Sequence, residues 1–152
     1  MLQEAEGKGD RKVFLFSEAQ IDFYWADVAS LLANCPGYYD FYTPEWTYQR
    51  AKAGDLQVWG CTDGNIRAIV LTQILCFPAQ KVFEIIGAAG IGLLDFFDEL
   101  EEVFEFIAAD AGCGMMTARV RPGIERMLQR RQKGALRHAV FIYKPVGKRS
   151  EH

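Results

Sequence analysis

Histidine is scarce in this chain: of 152 residues only His138 and His152 are histidine, and neither lies near a cysteine. The four cysteines, Cys35, Cys61, Cys76 and Cys113, are far apart and form no Cys-x-x-Cys pair. Zinc sites and disulfide frameworks need such residues clustered, so the thiols are expected to be free and buried, with no metal site. Apolar runs fall well short of the roughly 18 residues that span a bilayer. The N-terminus also lacks the charged, apolar, small-residue order of a signal peptide. The chain is therefore expected to be soluble and cytoplasmic, with no membrane partner. Between residues 119 and 137 there is no aromatic side chain, so stacking on nucleic-acid bases is not expected there.

What is present is apolar and aromatic. Half of the residues are hydrophobic and 13% are aromatic, enough for one core and too short a chain to expect two. A single domain is expected over residues 11–145, between a flexible segment 1–10 and a flexible tail 146–152. The net charge of −3 hides an asymmetry. Residues 82–118 hold eight acids and no Lys or Arg, whereas residues 119–152 hold ten bases against Glu125 and Glu151. Such blocks pair internally or meet different partners.

Hydrophobic period and punctuation give the elements. Val13 to Phe16 reads as a strand, and Ser17 with Gln20 three residues later reads as a capping box opening a helix. Ile21, Tyr24, Trp25, Val28, Leu31 and Leu32 give that helix an apolar face until Pro36-Gly37 stops it. The aromatic stretch from Pro36 to Trp46 reads as irregular. Thr43-Pro44 then opens a short helix that runs to about Ala53, with Gly54 beyond it. Asp63-Gly64 between two apolar runs reads as a hairpin, and Lys81 to Ile86 as the next strand of an antiparallel meander. A helix is expected over Leu93 to Ala111, burying Phe97, Leu100 and Phe104. A strand over Met115 to Val120, a helix from Pro122 to about Gly134 and a last strand over Ala139 to Tyr143 complete the order.

Three glycines, Gly87, Gly90 and Gly92, stand before the acid-rich helix. Glycine turns at a helix start can hold a phosphate, because free N–H groups and the helix dipole converge there. They also serve as tight turns with no ligand. Asp95, Asp98 and Glu99 follow within two turns, and each would repel a bound anion by roughly 1 to 4 kcal/mol at contact, depending on exposure.

The order β-α-α-β-β-β-α-β-α-β, with glycines between the fourth strand and the third helix, resembles the GNAT superfamily of N-acyltransferases over about residues 11–144. That resemblance implies an α/β fold with a central mixed, mostly antiparallel sheet flanked by helices. It also implies acetyl-CoA as cofactor, held by a [Q/R]-x-x-G-x-[G/A] loop that aligns with Gly87, Ala88, Ala89, Gly90, Ile91 and Gly92. Gly87 stands where the family has Gln or Arg. The family's general base, often a Glu on the fourth strand, corresponds to Glu84. Its acid, often a Tyr after the fifth strand, has no counterpart between Pro122 and Gly134, and Tyr143 lies later. In outline the chain is most similar to short GNAT-like proteins encoded by bacteriophages.

Two functions follow from this. The chain is expected to be a degenerate GNAT protein acting in macromolecular interaction or assembly, in the host cytoplasm or in a virion. A protein partner or a second copy would then dock on Arg126, Arg130 and Lys133, which lie at helical spacing. The alternative is an acetyl-CoA-dependent N-acyltransferase acting on an amine, using the Gly87 to Gly92 loop and Glu84.

Overall fold

The computed structural model describes residues 4–6, 9–119, 126, 130 and 144–147. Contacts group the chain into two compact units, residues 1–118 and residues 119–152.

In the first unit the elements run β1 (Glu4–Glu6), β2 (Lys12–Leu15), α1 (Glu18–Leu32), α2 (Tyr38–Phe41), α3 (Pro44–Lys52), β3 (Gln57–Thr62), β4 (Ile66–Cys76), β5 (Lys81–Gly90), α4 (Phe97–Asp110) and β6 (Cys113–Ala118). The strands form a six-stranded sheet in sequence order. Neighbours are antiparallel from β1 to β5, and β6 joins β5 in parallel. A parallel neighbour needs a crossover, and α4 supplies it. This is the α/β, mixed and mostly antiparallel sheet that was expected. Glu4–Glu6, in a segment expected to be flexible, pair with Phe14, Val13 and Lys12 of β2.

Local chemistry sets the element ends. Ser17 and Gln20 form the reciprocal capping box at the start of α1, satisfying two N–H groups that the first turn leaves without partners. Thr43 accepts from the Trp46 N–H at the start of α3, whose first residue is Pro44. The Asp63-Gly64 hairpin joins β3 to β4, with Gly64 at φ 116°. The segment expected to be irregular contains α2, which begins after Gly37 in the left-handed region.

The sheet buries both faces. On one, Val13, Trp59, Cys61, Ala68, Val70 and Phe83 pack against Phe96, just before α4, and against Leu100, Val103, Phe104, Ile107 and Ala108 of α4. On the other, Val58, Ile69 and Leu71 meet Ile21, Val28 and Leu32 of α1, with Tyr38 and Ala51. One detail differs from the periodic reading. Phe96 enters the core and Phe97 is only half-buried, because Leu93–Phe96 is a tighter 3-10 turn. Three residues per turn instead of 3.6 shifts the phase of the apolar face.

The expected helix from Pro122 to Gly134 and strand from Ala139 to Tyr143 lie outside the described residues, except that Arg126 and Arg130 are helical. No helix among the described residues is long and apolar enough to cross a membrane.

Candidate functional site

β5 pairs with β4 along its whole length but with β6 over only part of it. Along β4 its register extends from Cys76↔Lys81 to Ala68↔Gly90. Leu71 faces Gly87 while Thr72 faces Ile85, so Ile86 is an extra residue and β5 bulges there. Along β6 the pairing covers only Lys81↔Cys113 to Ile85↔Ala118. From Ile86 to Gly90, the backbone groups of β5 that point away from β4 therefore have no strand partner among the described residues. An internal sheet edge of this kind can accept an extended ligand.

The glycine loop expected over Gly87 to Gly92 is shorter than that. Gly87, Ala88, Ala89 and Gly90 remain in the β5 ladder, and only Ile91 and Gly92 lie between it and the 3-10 turn. Gly87 is buried, and a Cβ there would lie 3.1 Å from Cδ2 of Tyr38. A side chain there would require the Tyr38 ring to give by a few tenths of an ångström, so glycine at this position also serves the packing of the sheet. Tyr38 is fixed in turn: its hydroxyl lies 2.7 Å from Thr47 Oγ1, which donates to the Thr43 carbonyl. Tyr38 must then be the donor to Thr47. Burial pushes its hydroxyl well above the ordinary tyrosine range.

Gly90 and Gly92 carry the turn. Gly90 has φ 134°, and a Cβ on it would sit 2.3 Å from the Arg67 carbonyl oxygen. The Ile91 N–H donates to that same oxygen at 2.9 Å. Gly92 is left-handed at φ 70°, and Asp95 folds back so that its Oδ2 lies 3.0 Å from where a Gly92 Cβ would be. The first N–H groups of a helix have no intrahelical partner, and here a carboxylate of the chain itself lies close to the Gly92 position that precedes them. Ile91 and Leu94 are exposed on the same turn.

Sequence alone placed no base near this turn, and the fold brings one. Arg11 donates from Nη1 to the Asp95 carbonyl oxygen at 2.9 Å, and its Nε lies 3.8 Å from Glu99 Oε1. Glu99 is 4% exposed, and its Oε2 has no hydrogen-bond partner among the described residues. Burial, and after it the charge of Glu99, push the Cys61 thiol up to about 12.

Glu84 lies between Gln73 of β4 and Thr117 of β6 in register. Gln73 Nε2 donates to Glu84 Oε1 at 3.1 Å. Phe83 and Ile85 face α4, so the alternation of a strand turns Glu84 to the opposite face of the sheet. Thr117 Oγ1 is buried without a partner among the described residues. The row Gln73, Glu84, Thr117 thus crosses three strands two residues before the Ile86 bulge. Sequence reasoning found Glu84 but missed Gln73, Thr117, Tyr38 and Arg11, since only strand register and folding bring them together.

Arg126 and Arg130 are exposed and one helical turn apart, while Lys133 and Tyr143 lie outside the described residues. Among the described residues no cluster of His, Cys, Asp and Glu could hold a metal ion.

No protein-family model matches the chain, and no curated protein matches it in sequence. Solved structures do match its fold. An aminoglycoside acetyltransferase from an uncultured soil metagenomic sample, in complex with sisomicin, is similar with a TM-score of 0.63 at 11% identity, covering 93% of this chain and 100% of that one. A GNAT family acetyltransferase of Staphylococcus aureus matches with a TM-score of 0.58 at 12% identity, over 90% of this chain and 99% of its own. A ribosomal-protein-alanine N-acetyltransferase of Brucella melitensis matches at 0.56 and 13%, with coverage of 90% and 99%. At these identities the likeness establishes the fold: the chain has the architecture of the GNAT acetyltransferases.

Proposed function

We propose that the chain is an N-acyltransferase that uses acetyl-CoA. The observation that carries this reading is the course of β5, paired with β6 up to Ile85, bulged at Ile86 and, among the described residues, without a strand partner on that side as far as Gly90. The open edge offers N–H and C=O groups in strand geometry, which suits the two amides of a pantetheine arm laid beside it. The turn at Ile91 and Gly92 then lies where the phosphates would follow, with first-turn N–H groups as donors. Acetyl-CoA would supply the acyl thioester.

Glu84 is the residue placed to take a proton from an acceptor amine, directly or through water, with the Gln73 amide holding its Oε1. In the transfer a C–N bond forms, the C–S bond breaks, and the sulfur leaves as thiolate to be protonated by solvent. An N–H of the open β5 edge would stabilise the oxyanion between those steps. Asp95 opposes this function as the chain stands. Its carboxylate must leave the turn before a phosphate can use it, since like charges at contact repel by roughly 1 to 4 kcal/mol.

Calorimetric titration with acetyl-CoA tests the reading. Weak binding is expected in the parent protein and tighter binding in Asp95→Asn. Absence of binding in both, together with no acetyl transfer to a panel of amines, would overturn it.

Assembly, the function first expected, draws on charge alone. Glu102 and Glu105 on α4 and Arg126 and Arg130 beyond it are exposed. Self-association through these faces would weaken with salt, because exposed charges are screened beyond roughly 8 Å at physiological ionic strength. Neither a phage origin nor a place in a virion gains support from the structural neighbours.

A further inference from the structure

Away from β5, a concave corner of about 180 Å³ opens between α1 and α3, lined by Trp25, Pro44, Glu45 and Tyr48. Its walls are aromatic. The Trp25 and Tyr48 rings stand 5.1 Å apart between centroids at an interplanar angle of 63°, an edge-to-face contact that leaves ring surface on both side chains. Pro44 is fixed as the first residue of α3 by the Thr43 cap behind it. Glu45, the next residue, is exposed on the rim and forms no salt bridge among the described residues.

The corner is held open by bonds that do not enter it. The Tyr48 hydroxyl donates to Asp22 Oδ1, so the ring cannot swing into the space between the helices. Lys52 Nζ lies 2.6 Å from Asp22 Oδ2 and 3.3 Å from Glu18 Oε1, so the neighbouring cation is already matched by two carboxylates. These bonds draw the Asp22 carboxyl below the usual carboxylate range, Lys52 first and Tyr48 next. What lines the opening is therefore two aromatic side chains, a proline ring and a carboxylate.

That combination selects for one chemistry. Aromatic faces attract cations through the ring quadrupole, and the attraction is strongest for cations that lose little hydration on contact. A primary ammonium keeps a tight water shell that this corner cannot replace. A methylated ammonium has no such shell, presents apolar methyl groups to the rings and keeps its full charge for Glu45. We propose that the corner formed by Trp25, Pro44, Glu45 and Tyr48 binds a methylated ammonium group. Such a group is carried by choline-like molecules and by methylated lysine, and the site reads the shared cationic head. It is separate from the β5 site and does not depend on acyl transfer.

The test is an NMR titration of the whole chain, without acetyl-CoA, using tetramethylammonium, choline and free Nε-trimethyllysine. The neutral isostere 3,3-dimethylbutan-1-ol serves as the control. The cations should shift the ring signals of Trp25 and Tyr48 saturably and bind roughly tenfold more tightly than the isostere, the order expected of cation–π contact with charge assistance. Glu45→Gln leaves the walls intact and should weaken the cations roughly threefold while leaving the isostere unchanged. Trp25→Leu should abolish the preference for charge. A preference for choline would identify a small-molecule head group, and a preference for trimethyllysine a modified side chain; either supports the site. Equal binding of cation and isostere would overturn the proposal, as would shifts spread away from these rings or affinity unchanged in Glu45→Gln.

Discussion

Arg11 reaches across 84 residues of sequence to donate a hydrogen bond to the Asp95 carbonyl oxygen at 2.9 Å. This ties the entry of β2 to the turn that opens α4. A guanidinium near a helix N-terminus opposes the dipole there, and Glu99, buried one turn further on, supplies the compensating charge.

Replacing Arg11 by Ala would leave Glu99 buried without its cation, at a cost of roughly 1–3 kcal/mol. The lower part of that range is expected, because the Arg11 side chain is 30% exposed and the Nε–Oε1 distance of 3.8 Å is long. A double-mutant cycle with Glu99→Gln in denaturant titrations isolates the pair from the other contacts of Arg11. A coupling of roughly 0.5 kcal/mol or more is expected, and a coupling indistinguishable from zero would show that Glu99 is held by its surroundings and not by Arg11.

Gly90 and Gly64 both have positive φ, at 134° and 116°, but only Gly90 is crowded. Gly64→Ala meets open space and should cost about 1 kcal/mol from backbone strain alone. Gly90→Ala places a methyl 2.3 Å from the Arg67 carbonyl oxygen and 2.4 Å from Ala68 Cα, both backbone atoms that cannot turn aside. Its cost should reach about 3 kcal/mol or more as β4 and β5 are forced apart. Equal losses in thermal or denaturant unfolding would mean that β5 leaves the sheet before Gly90.

The parts of this fold legible in the sequence are those that local chemistry decides. Ser17 with Gln20, Thr43 with Pro44, and Asp63 with Gly64 each mark an element boundary that depends on residues three or fewer positions apart. The limits of local reading appear at β5. Gly87 looked like a loop glycine lacking its polar partner because the motif was read along the chain, whereas it also packs against the Tyr38 ring, which only tertiary packing brings there. The register that places Gln73 and Thr117 beside Glu84 depends on the turn that joins β4 to β5 and on the parallel addition of β6. A one-residue shift in either would turn those side chains to the other face, and nothing in the local sequence fixes it. Phe96 rather than Phe97 enters the core for a related reason, since a 3-10 turn is not separable from an α-helical one by apolar spacing over four residues.

The cysteines should react in an order set by burial and charge. Cys61 is fully buried, and its thiol is pushed up to about 12, so it stays neutral throughout the physiological range. Because the folded value lies above the ordinary one, its contribution to stability is complete below the unfolded thiol's titration and fades as pH rises towards 12. Only the thiolate attacks alkylating reagents. In the native protein at neutral pH, iodoacetamide should therefore label exposed Cys76 first and Cys61 last, with Cys35 and Cys113 between them. Mass spectrometry of timed samples reads the order, and early labelling of Cys61 would place it at an accessible surface.

Glu84 is the most direct test of chemistry. If it accepts the amine proton, Glu84→Gln removes a positioned base but keeps the shape and the contact with Gln73, and kcat should fall by roughly 10² to 10⁴. Acetyl-CoA affinity should hold, because Glu84 lies before the bulge and the open edge lies after it. Gln73→Ala should act through Glu84, lowering kcat by a smaller factor while leaving the Glu84→Gln variant unaffected when the two are combined. A purely structural role predicts another pattern: loss of stability in both single variants and equal effects on kcat and acetyl-CoA binding. Steady-state rates at saturating amine, measured beside calorimetric affinity and a melting curve for each variant, separate these cases. Glu84→Gln with undiminished kcat would remove Glu84 from the reaction and pass the base role to a residue beyond β5.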